Sequence, residues 1–188
     1  MSDAKRASMG AFAQGYVAVE EMELRGMITV RGSLTSSKLT NAVNKVSGAD
    51  MPGPGQINFV GEYGLAWMSP DELLMLTPYK SSGADMASLE KLLEGTHHLV
   101  TNVSDARITF RLTGVAIREV LSKLTPANVS VVGLQIGQIR RSRLAQVAGA
   151  FWLRDDETAE IVCFRSVAHY VFSLLENASR PGSEVGYV

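Results

Sequence analysis

Two stretches of the chain repeat one another, and this repeat constrains the fold more than any other feature of the sequence. Residues 64–72 (GLAWMSPDE) and 149–157 (GAFWLRDDE) carry Gly, Trp, Asp and Glu at matching positions, each match separated by 85 residues (149 − 64 and 157 − 72). Ile28–Arg31 (ITVR) matches Ile108–Arg111 (ITFR) at a separation of 80 (108 − 28). A self-similarity of this period predicts two copies of one structural unit.

A third match gives the same interpretation. Gly55-Gln56 recurs as Gly137-Gln138 at a separation of 82 (137 − 55), and separations that drift in this way are expected when loops gain or lose residues. We therefore expect Trp67 and Trp152 to anchor equivalent cores. The chain has 188 residues, enough for one compact folded body. Its predicted segments are an N-terminal extension (1–25), a first repeat (26–97), a second repeat (98–179) and a flexible tail (180–188).

Hydrophobic spacing predicts the same order of elements in both repeats, with strands at alternating or clustered apolar runs and helices at apolar spacings of three and four. In the first repeat we predict strands at 27–31, 57–60, 65–68 and 73–76, and helices carrying Leu39, Ala42, Val43 and Val46, then Met86, Leu89, Leu92 and Leu93. In the second we predict strands at 107–112, 136–147, 150–153 and 159–164, and helices carrying Ala116, Val120, Leu121 and Leu124, then Val167, Val171, Leu174, Leu175 and Ala178. Residues 98–104 are predicted as a further strand that joins the repeats. Each repeat thus reads β-α-β-β-β-α, which predicts an α+β fold.

Charge and composition exclude several functional classes. The chain carries 18 Lys+Arg and 19 Asp+Glu, with a net charge of −1 and a pI of about 6.3, whereas nucleic-acid-binding domains are usually strongly basic. No apolar run reaches the roughly 18 residues that a membrane span needs. The chain has a single cysteine, so it cannot form an internal disulfide, and a lone thiol favours the cytoplasm. We expect a cytoplasmic protein with neither nucleic acid nor membrane as a partner.

Side chains suited to catalysis or metal binding are few. The adjacent His97 and His98 would point to opposite sides of a strand, and His169 is distant in sequence, so no metal site is predicted. Cys163 lies in an apolar run and is predicted to be a buried packing residue. The acidic run 155–157 is predicted as a hairpin turn, although it could also hold a cation or an amine.

Three arginines form the one candidate binding surface. Arg140, Arg141 and Arg143 lie on a predicted strand, where Arg141 and Arg143 share one face and Arg140 lies on the other. The pattern fits either a solvated strand face or a surface for a partner. No catalytic constellation is recognisable, and this favours a binding or structural role.

Motifs of the second repeat indicate a family. Val103-Ser104, residues 108–116 (ITFRLTGVA) and residues 120–129 (VLSKLTPANV) resemble, in that order, three features of the folate-binding family of the glycine cleavage T-protein. These are a D-[LV]-S strand, a V-x-G-x-x-A turn, and a helix that ends before a D-V or N-V pair. The resemblance implies the duplicated folate-binding fold of that family.

Three further motifs narrow the resemblance. Gly26–Gly32 (GMITVRG), residues 67–76 (WMSPDELLML) and residues 164–170 (FRSVAHY) are similar to the gamma-subunit family of heterotetrameric sarcosine oxidase. The likeness extends roughly over residues 26–178.

This resemblance implies a complex with alpha, beta and delta subunits as partners. Such a complex oxidises sarcosine with oxygen to glycine and hydrogen peroxide, and tetrahydrofolate takes the one-carbon unit as 5,10-methylenetetrahydrofolate. It implies that FAD, FMN, NAD and the tetrahydrofolate site belong to the other subunits, and that this chain binds no cofactor and has a non-catalytic, structural role.

One departure from the family pattern bears on folate. Asn102 stands where the wider family has the Asp of D-[LV]-S, so no catalytic or folate-binding residue is carried over. Two alternatives stay open. One is a free-standing folate- or small-ligand-binding domain with a pocket between its repeats, and the other is an independent transferase using Asp155 or Asp156 as a base.

Overall fold

A computed structural model describes residues 10–186, which form eleven β-strands and four α-helices. The strands are β1 (Phe12–Gln14), β2 (Ala18–Glu21), β3 (Arg25–Gly32), β4 (Ile57–Val60), β5 (Tyr63–Ser69), β6 (Glu72–Pro78), β7 (His98–Asn102), β8 (Arg107–Thr113), β9 (Ile139–Leu144), β10 (Val147–Asp155) and β11 (Thr158–Phe164). The helices are α1 (Ser37–Ser47), α2 (Ser82–Leu93), α3 (Ile117–Leu124) and α4 (Ala168–Ala178). The class is α+β, as predicted. None of the helices in this part of the chain has both the length and the apolar character to cross a membrane.

The chain divides into two compact units. The first unit is Arg25–Asp105, and the second unit combines the residues up to Leu24 with those from Ala106 onward. In the first unit an antiparallel five-stranded sheet has the order β4-β5-β6-β3-β7. Alternate residues of its central strands, such as Ile28, Val30 and Leu73, pack with the apolar faces of α1 and α2 in one buried cluster.

The second unit repeats this arrangement. Its antiparallel sheet has the order β1-β2-β8-β11-β10-β9, and its buried cluster joins Phe110, Leu112 and Ile161 to Val120 of α3 and Val171 of α4. The element order β8-α3-β9-β10-β11-α4 is that of β3-α1-β4-β5-β6-α2 in the first unit. The predicted order of elements within each repeat is therefore present in the structure.

The Gly-Gln match marks equivalent turns. Gly55 and Gly137 both have positive φ, 70° and 82°, a backbone conformation that glycine adopts without steric cost. In each turn the Gln side-chain oxygen accepts the backbone N–H three residues earlier, from Gly53 to Gln56 and from Gln135 to Gln138, both at 3.1 Å. The repeat seen in the sequence thus preserves a hydrogen-bonded turn before β4 and before β9.

Unlike the Gly-Gln pairs, the two tryptophans are not at equivalent positions in the structure. The alignment of β5 with β10 in the structure is shifted by one residue from the alignment in the sequence. A bulge follows Trp67 in β5 and Leu153 in β10, so the structural separation is 86 (153 − 67) and not 85. A shift of one residue moves a side chain to the opposite face of a strand. Trp152 is fully buried and lies outside the helix-facing cluster, whereas Trp67 is only half-buried. The prediction that the two tryptophans anchor equivalent cores is wrong.

The outer pairing differs from the predicted segments. The strand before each repeat pairs with the other repeat: β2 precedes β3 in the chain but pairs with β8, while β7 precedes β8 but pairs with β3. The predicted extension 1–25, where it is described, therefore supplies two strands to the second unit. Likewise, residues 98–105 belong to the first unit, although the predicted boundary lay between 97 and 98. Periodicity within a strand carries no information about which distant strand it pairs with.

Two local predictions also need correction. The predicted strand 136–147 is interrupted at Ala145, whose φ of 51° turns the chain between β9 and β10. The predicted flexible tail is anchored within its described part, since the Val185 N–H and the Ser183 carbonyl both bond to α3. Residues 187–188 of that tail and residues 1–9 of the extension lie outside the described residues.

The two tryptophans provide a matched test of the register. Trp152→Ala should lower the free energy of unfolding by about 3–5 kcal/mol, because it empties a fully buried site and removes a hydrogen bond to the buried Glu160. Trp67→Ala should cost less than half as much, because its side chain is partly solvated in the folded state. Urea unfolding of the full chain measures both values. Equal losses would contradict the register of the two bulged strands.

Candidate functional site

The three arginines of β9 fall into two groups. Arg141 and Arg143 are exposed and share a face of the strand, as predicted, and Arg143 donates to the Gln146 side-chain oxygen at 2.8 Å. Arg140 is half-buried and donates to the Gly133 carbonyl and to Gln138 Oε1 (3.0 Å). Arg140 therefore holds the preceding loop, and the exposed positive charge of β9 comes from the other two. That these arginines form a partner surface stays a prediction.

Arg118 of α3 also binds the loop between α3 and β9, residues 125–138. The Arg118 Nη1 atom donates to the carbonyl oxygens of Val129 (2.8 Å), Ser130 (3.0 Å) and Leu134 (2.9 Å). Leu134 is fully buried in the core of the second unit. The carbonyls of a loop have no partners in a helix or strand, so other groups must donate hydrogen bonds to them. A guanidinium group is suited to this because it carries several N–H donors.

A groove of about 650 Å³ lies beside α3 in the same unit. Its lining consists of residues from the end of α3, the loop and the C-terminal segment: Ser122, Lys123, Thr125, Pro126, Ala127, Asn128, Val129, Ser130 and Val185. Within residues 10–186 this lining includes no aromatic side chain that could stack on a flat heterocycle and no carboxylate that could pair with its amino groups. Ligand pockets usually have mainly apolar walls with a few aimed polar groups, whereas five of the nine residues that line this groove are polar.

The cationic group of the groove is already engaged. Lys123 Nζ donates to the Tyr16 hydroxyl (2.8 Å) and to the carbonyls of Ala178 (3.0 Å) and Ser183 (2.6 Å), and it lies 3.4 Å from Glu119 Oε1. An ammonium has three protons to donate, so these contacts satisfy it. The cluster ties the segments at both ends of the described chain to α3, and its function is structural.

Glu119 completes this cluster and titrates with it. Its Oε1 accepts the Val185 backbone N–H at 2.9 Å, and that hydrogen bond, together with Lys123 and Tyr16, lowers the pKa of Glu119 below its ordinary value. Burial by itself lowers the pKa of Lys123, but the Tyr16 and Glu119 interactions outweigh burial and leave that pKa raised. Both groups are therefore held in their charged forms. This pair was not predicted from the sequence, although its i, i+4 spacing on α3 was a readable signal.

Asn102, at the position of the Asp in the family's D-[LV]-S motif, makes structural hydrogen bonds. The Asn102 Oδ1 atom accepts from the Ser104 backbone N–H (3.0 Å) and hydroxyl (2.5 Å), while its Nδ2 donates to Ser82 Oγ (3.1 Å). Ser104 Oγ in turn accepts the Met27 N–H at 2.9 Å. The amide thus joins β7 to α2 and offers no carboxylate. The chain therefore has no carboxylate at the position of the Asp in the family signature.

The other chemically suggestive residues lie in structural settings. Burial raises the pKa of the Cys163 thiol to about 12. Asp155 Oδ1 accepts the Glu157 N–H at 2.9 Å within an exposed hairpin turn, as the turn prediction requires. His98 bonds to the Thr96 carbonyl and to Glu90, both of which raise its pKa. Among residues 10–186, no three His, Cys, Asp or Glu side chains are grouped so that they could hold a metal ion.

Comparisons with known proteins agree on the fold. Residues 31–181 match a model described as "Sarcosine oxidase, gamma subunit family". The structure resembles a heterotetrameric sarcosine oxidase from Corynebacterium sp. U-96 in complex with pyrrole 2-carboxylate, with a TM-score of 0.81 and 22% identity over 93% of this chain and 90% of that chain. No curated protein sequence matches the chain.

Two further solved structures resemble the chain more distantly. The glycine cleavage system aminomethyltransferase T from Bartonella henselae gives a TM-score of 0.64 and 19% identity, covering 86% of this chain and 45% of that chain. The regulatory subunit of aspartate kinase from Thermus thermophilus gives 0.52 and 11%, covering 88% and 97%. Identities this low show a shared fold alone.

The Glu119 cluster predicts a pH-dependent stability. A carboxylate whose pKa falls on folding stabilises the folded state fully above its ordinary pKa of 4.5, and this contribution is lost as the pH falls through the lowered value. Glu119→Gln should therefore lower the thermal midpoint relative to wild type near neutral pH, and the gap should close in acid. Glu157→Gln, at an exposed turn, serves as the control. A gap that does not change with pH would contradict the assignment.

Cys163 is expected to be inert in the folded chain. Because burial raises the pKa of this thiol to about 12, the reactive thiolate is scarce at neutral pH. Iodoacetamide at about pH 8 should label the native chain far more slowly than the urea-unfolded chain, with mass spectrometry as the readout. Complete labelling of native protein at the unfolded rate would show that the thiol is accessible.

Proposed function

The chain belongs to the sarcosine oxidase gamma subunit family, and we propose that it serves as the non-catalytic, structural gamma subunit of a heterotetrameric sarcosine oxidase with alpha, beta and delta partners. The match over residues 31–181 is the observation that carries the proposal. The similarity in fold to a heterotetrameric sarcosine oxidase supports it. The complex oxidises sarcosine: sarcosine, tetrahydrofolate and oxygen give glycine, 5,10-methylenetetrahydrofolate and hydrogen peroxide.

The non-catalytic role has its own support in how this chain uses its reactive side chains. Lys123 and Glu119 bind one another and residues 183–185 of the C-terminal segment, and Asp155 closes a turn. The Cys163 thiol is buried and held protonated. Catalytic acids, bases and nucleophiles need access to a substrate and a pKa near the working pH. These residues instead hold the second unit together.

In the proposed complex the cofactors belong to the other subunits. FAD, FMN and NAD would be bound by partner subunits, and so would tetrahydrofolate. The engaged amide of Asn102 and the polar, non-aromatic lining of the groove support this assignment for folate. The chain's contribution is then a folded surface on which its partners assemble, in the cytoplasm where the resemblance locates such complexes.

Co-purification tests the proposal. The full chain, tagged and expressed in its native host grown on a methylated amine, should retain flavin-bearing partners, visible as a yellow complex that forms hydrogen peroxide when sarcosine is added. The chain alone should show no such turnover. Sarcosine oxidation by the isolated chain would overturn the non-catalytic role.

The groove beside α3 is the observation that favours the second candidate, a free-standing small-ligand-binding domain. Calorimetry of the full chain with tetrahydrofolate or folinic acid separates the two candidates. A colourless chain that purifies alone and releases heat with either compound would favour the ligand-binding domain. Partner capture without such heat would favour the subunit.

A further inference from the structure

The loop between α3 and β9 exposes three large apolar side chains. Val131, Val132 and Ile136 are 64%, 81% and 55% exposed, and all three lie within six consecutive residues. Single exposed apolar side chains are common on soluble proteins, but contiguous ones mark surfaces that another molecule covers. The loop, residues 125–138, leads directly into the strand β9 that carries the exposed arginines.

The loop is held rigid although it lacks a helix or strand of its own. Arg118 bonds to three of its carbonyls and Arg140 to a fourth, so two guanidinium groups bind the backbone of loop residues 129–134. Leu134 anchors its middle in the core. A surface that is ordered before binding avoids the entropic cost of being ordered by the partner. The hydrogen bonds to residues 129–134 therefore restrain the backbone that carries the exposed valines.

The charged residues of the loop and of the strand that follows it are of one sign. Between Glu119 and Asp155 the chain has no acidic residue, but it has five basic ones, within a protein whose net charge is −1. Two of the five, Arg141 and Arg143, are exposed on β9 directly after the loop. A partner face that matches this surface has carboxylates around an apolar recess.

The same charge argues against a second copy of this chain as the occupant. A symmetric dimer through this surface would bury the same patch of both copies, and residues 120–154 contain no carboxylate, so the arginines of one copy would meet only apolar or positive groups of the other. Like charges brought together across an interface cost several kcal/mol. A different protein with acidic residues around its recess has no such cost.

We propose that the loop 125–138 and the exposed face of β9 form the surface through which this chain docks onto another subunit of its complex, and that Val131 and Val132 enter an apolar recess bordered by Asp and Glu side chains. The proposal deepens the proposed function and rests on it, because it names the part of the chain that holds the partner.

Matched substitutions test the docking surface in the full chain, co-expressed with the other subunits of its complex. Val132→Asp should weaken co-purification at least tenfold, because it places a carboxylate in the recess and against its acidic border. Val115→Asp is the control, since Val115 is 80% exposed in the same unit but lies outside the loop. It should retain wild-type capture within about twofold. An unchanged thermal midpoint shows that each variant is folded.

The contribution of the arginines to docking can be measured separately from that of the valines, through the salt dependence of association. Arg143→Glu should slow association several-fold at low salt, and the difference from wild type should shrink as salt is raised, because steering by surface charge is screened. A loss of binding that salt does not change would overturn the charge component.

The remaining outcomes distinguish the two proposals. If wild type captures its partners and Val132→Asp captures them as well as Val115→Asp does, the docking surface is refuted while the subunit role stands. If the wild-type chain captures no partner, both are overturned. If size-exclusion chromatography instead shows a dimer of this chain that Val132→Asp dissociates, the surface belongs to a second copy and the proposal is overturned.

Discussion

Each sheet depends on one strand that joins the strands of its own repeat to a strand from another part of the chain, β3 in the first unit and β8 in the second. On one side the partner is the last strand of the same repeat, β6 or β11. On the other side the partner is the strand that precedes the opposite repeat in the chain, β7 or β2. The backbone groups on that side of β3 and β8 would otherwise lack hydrogen bonds, and unpaired buried backbone groups are costly. Neither sheet can therefore be completed from one repeat alone.

Outside the sheets, side chains supply hydrogen bonds that hold the backbone segments in place. Arg118 and Arg140 satisfy the carbonyls of the loop before β9, Asn102 joins β7 to α2, and Lys123 with Glu119 fastens the C-terminal segment to α3. In another protein such arginine, lysine and carboxylate groups could bind a ligand or carry out catalysis. Here their hydrogen bonds lead back into the chain. The surface that we propose for recognition is the apolar part of the loop and the exposed face of β9.

This use of polar groups is consistent with the non-catalytic role that we propose. The structure resembles an aminomethyltransferase as well as a heterotetrameric sarcosine oxidase, and a fold does not imply an activity. The residue that departs from the T-protein signature, Asn102, is also the one whose amide donates to Ser82 Oγ. A carboxylate could not make that donation. The departure noted in the sequence therefore has a structural reason in this chain.

Local pattern determined much of this protein. Apolar spacing predicted the helices and most strands, the Gly-Gln pairs located equivalent turns, and the alternation of Arg141 and Arg143 placed them on one face, because these properties depend on residues near one another in the chain. The motifs of the second repeat also indicated the family. Only the tertiary structure decided that β2 and β7 each pair with the opposite repeat, that β5 and β10 align one residue away from the sequence match so that Trp67 and Trp152 are not equivalent, and that Arg140 holds a loop while Arg143 is exposed. Those outcomes depend on hydrogen bonds and packing between residues far apart in sequence, and no local spacing encodes them.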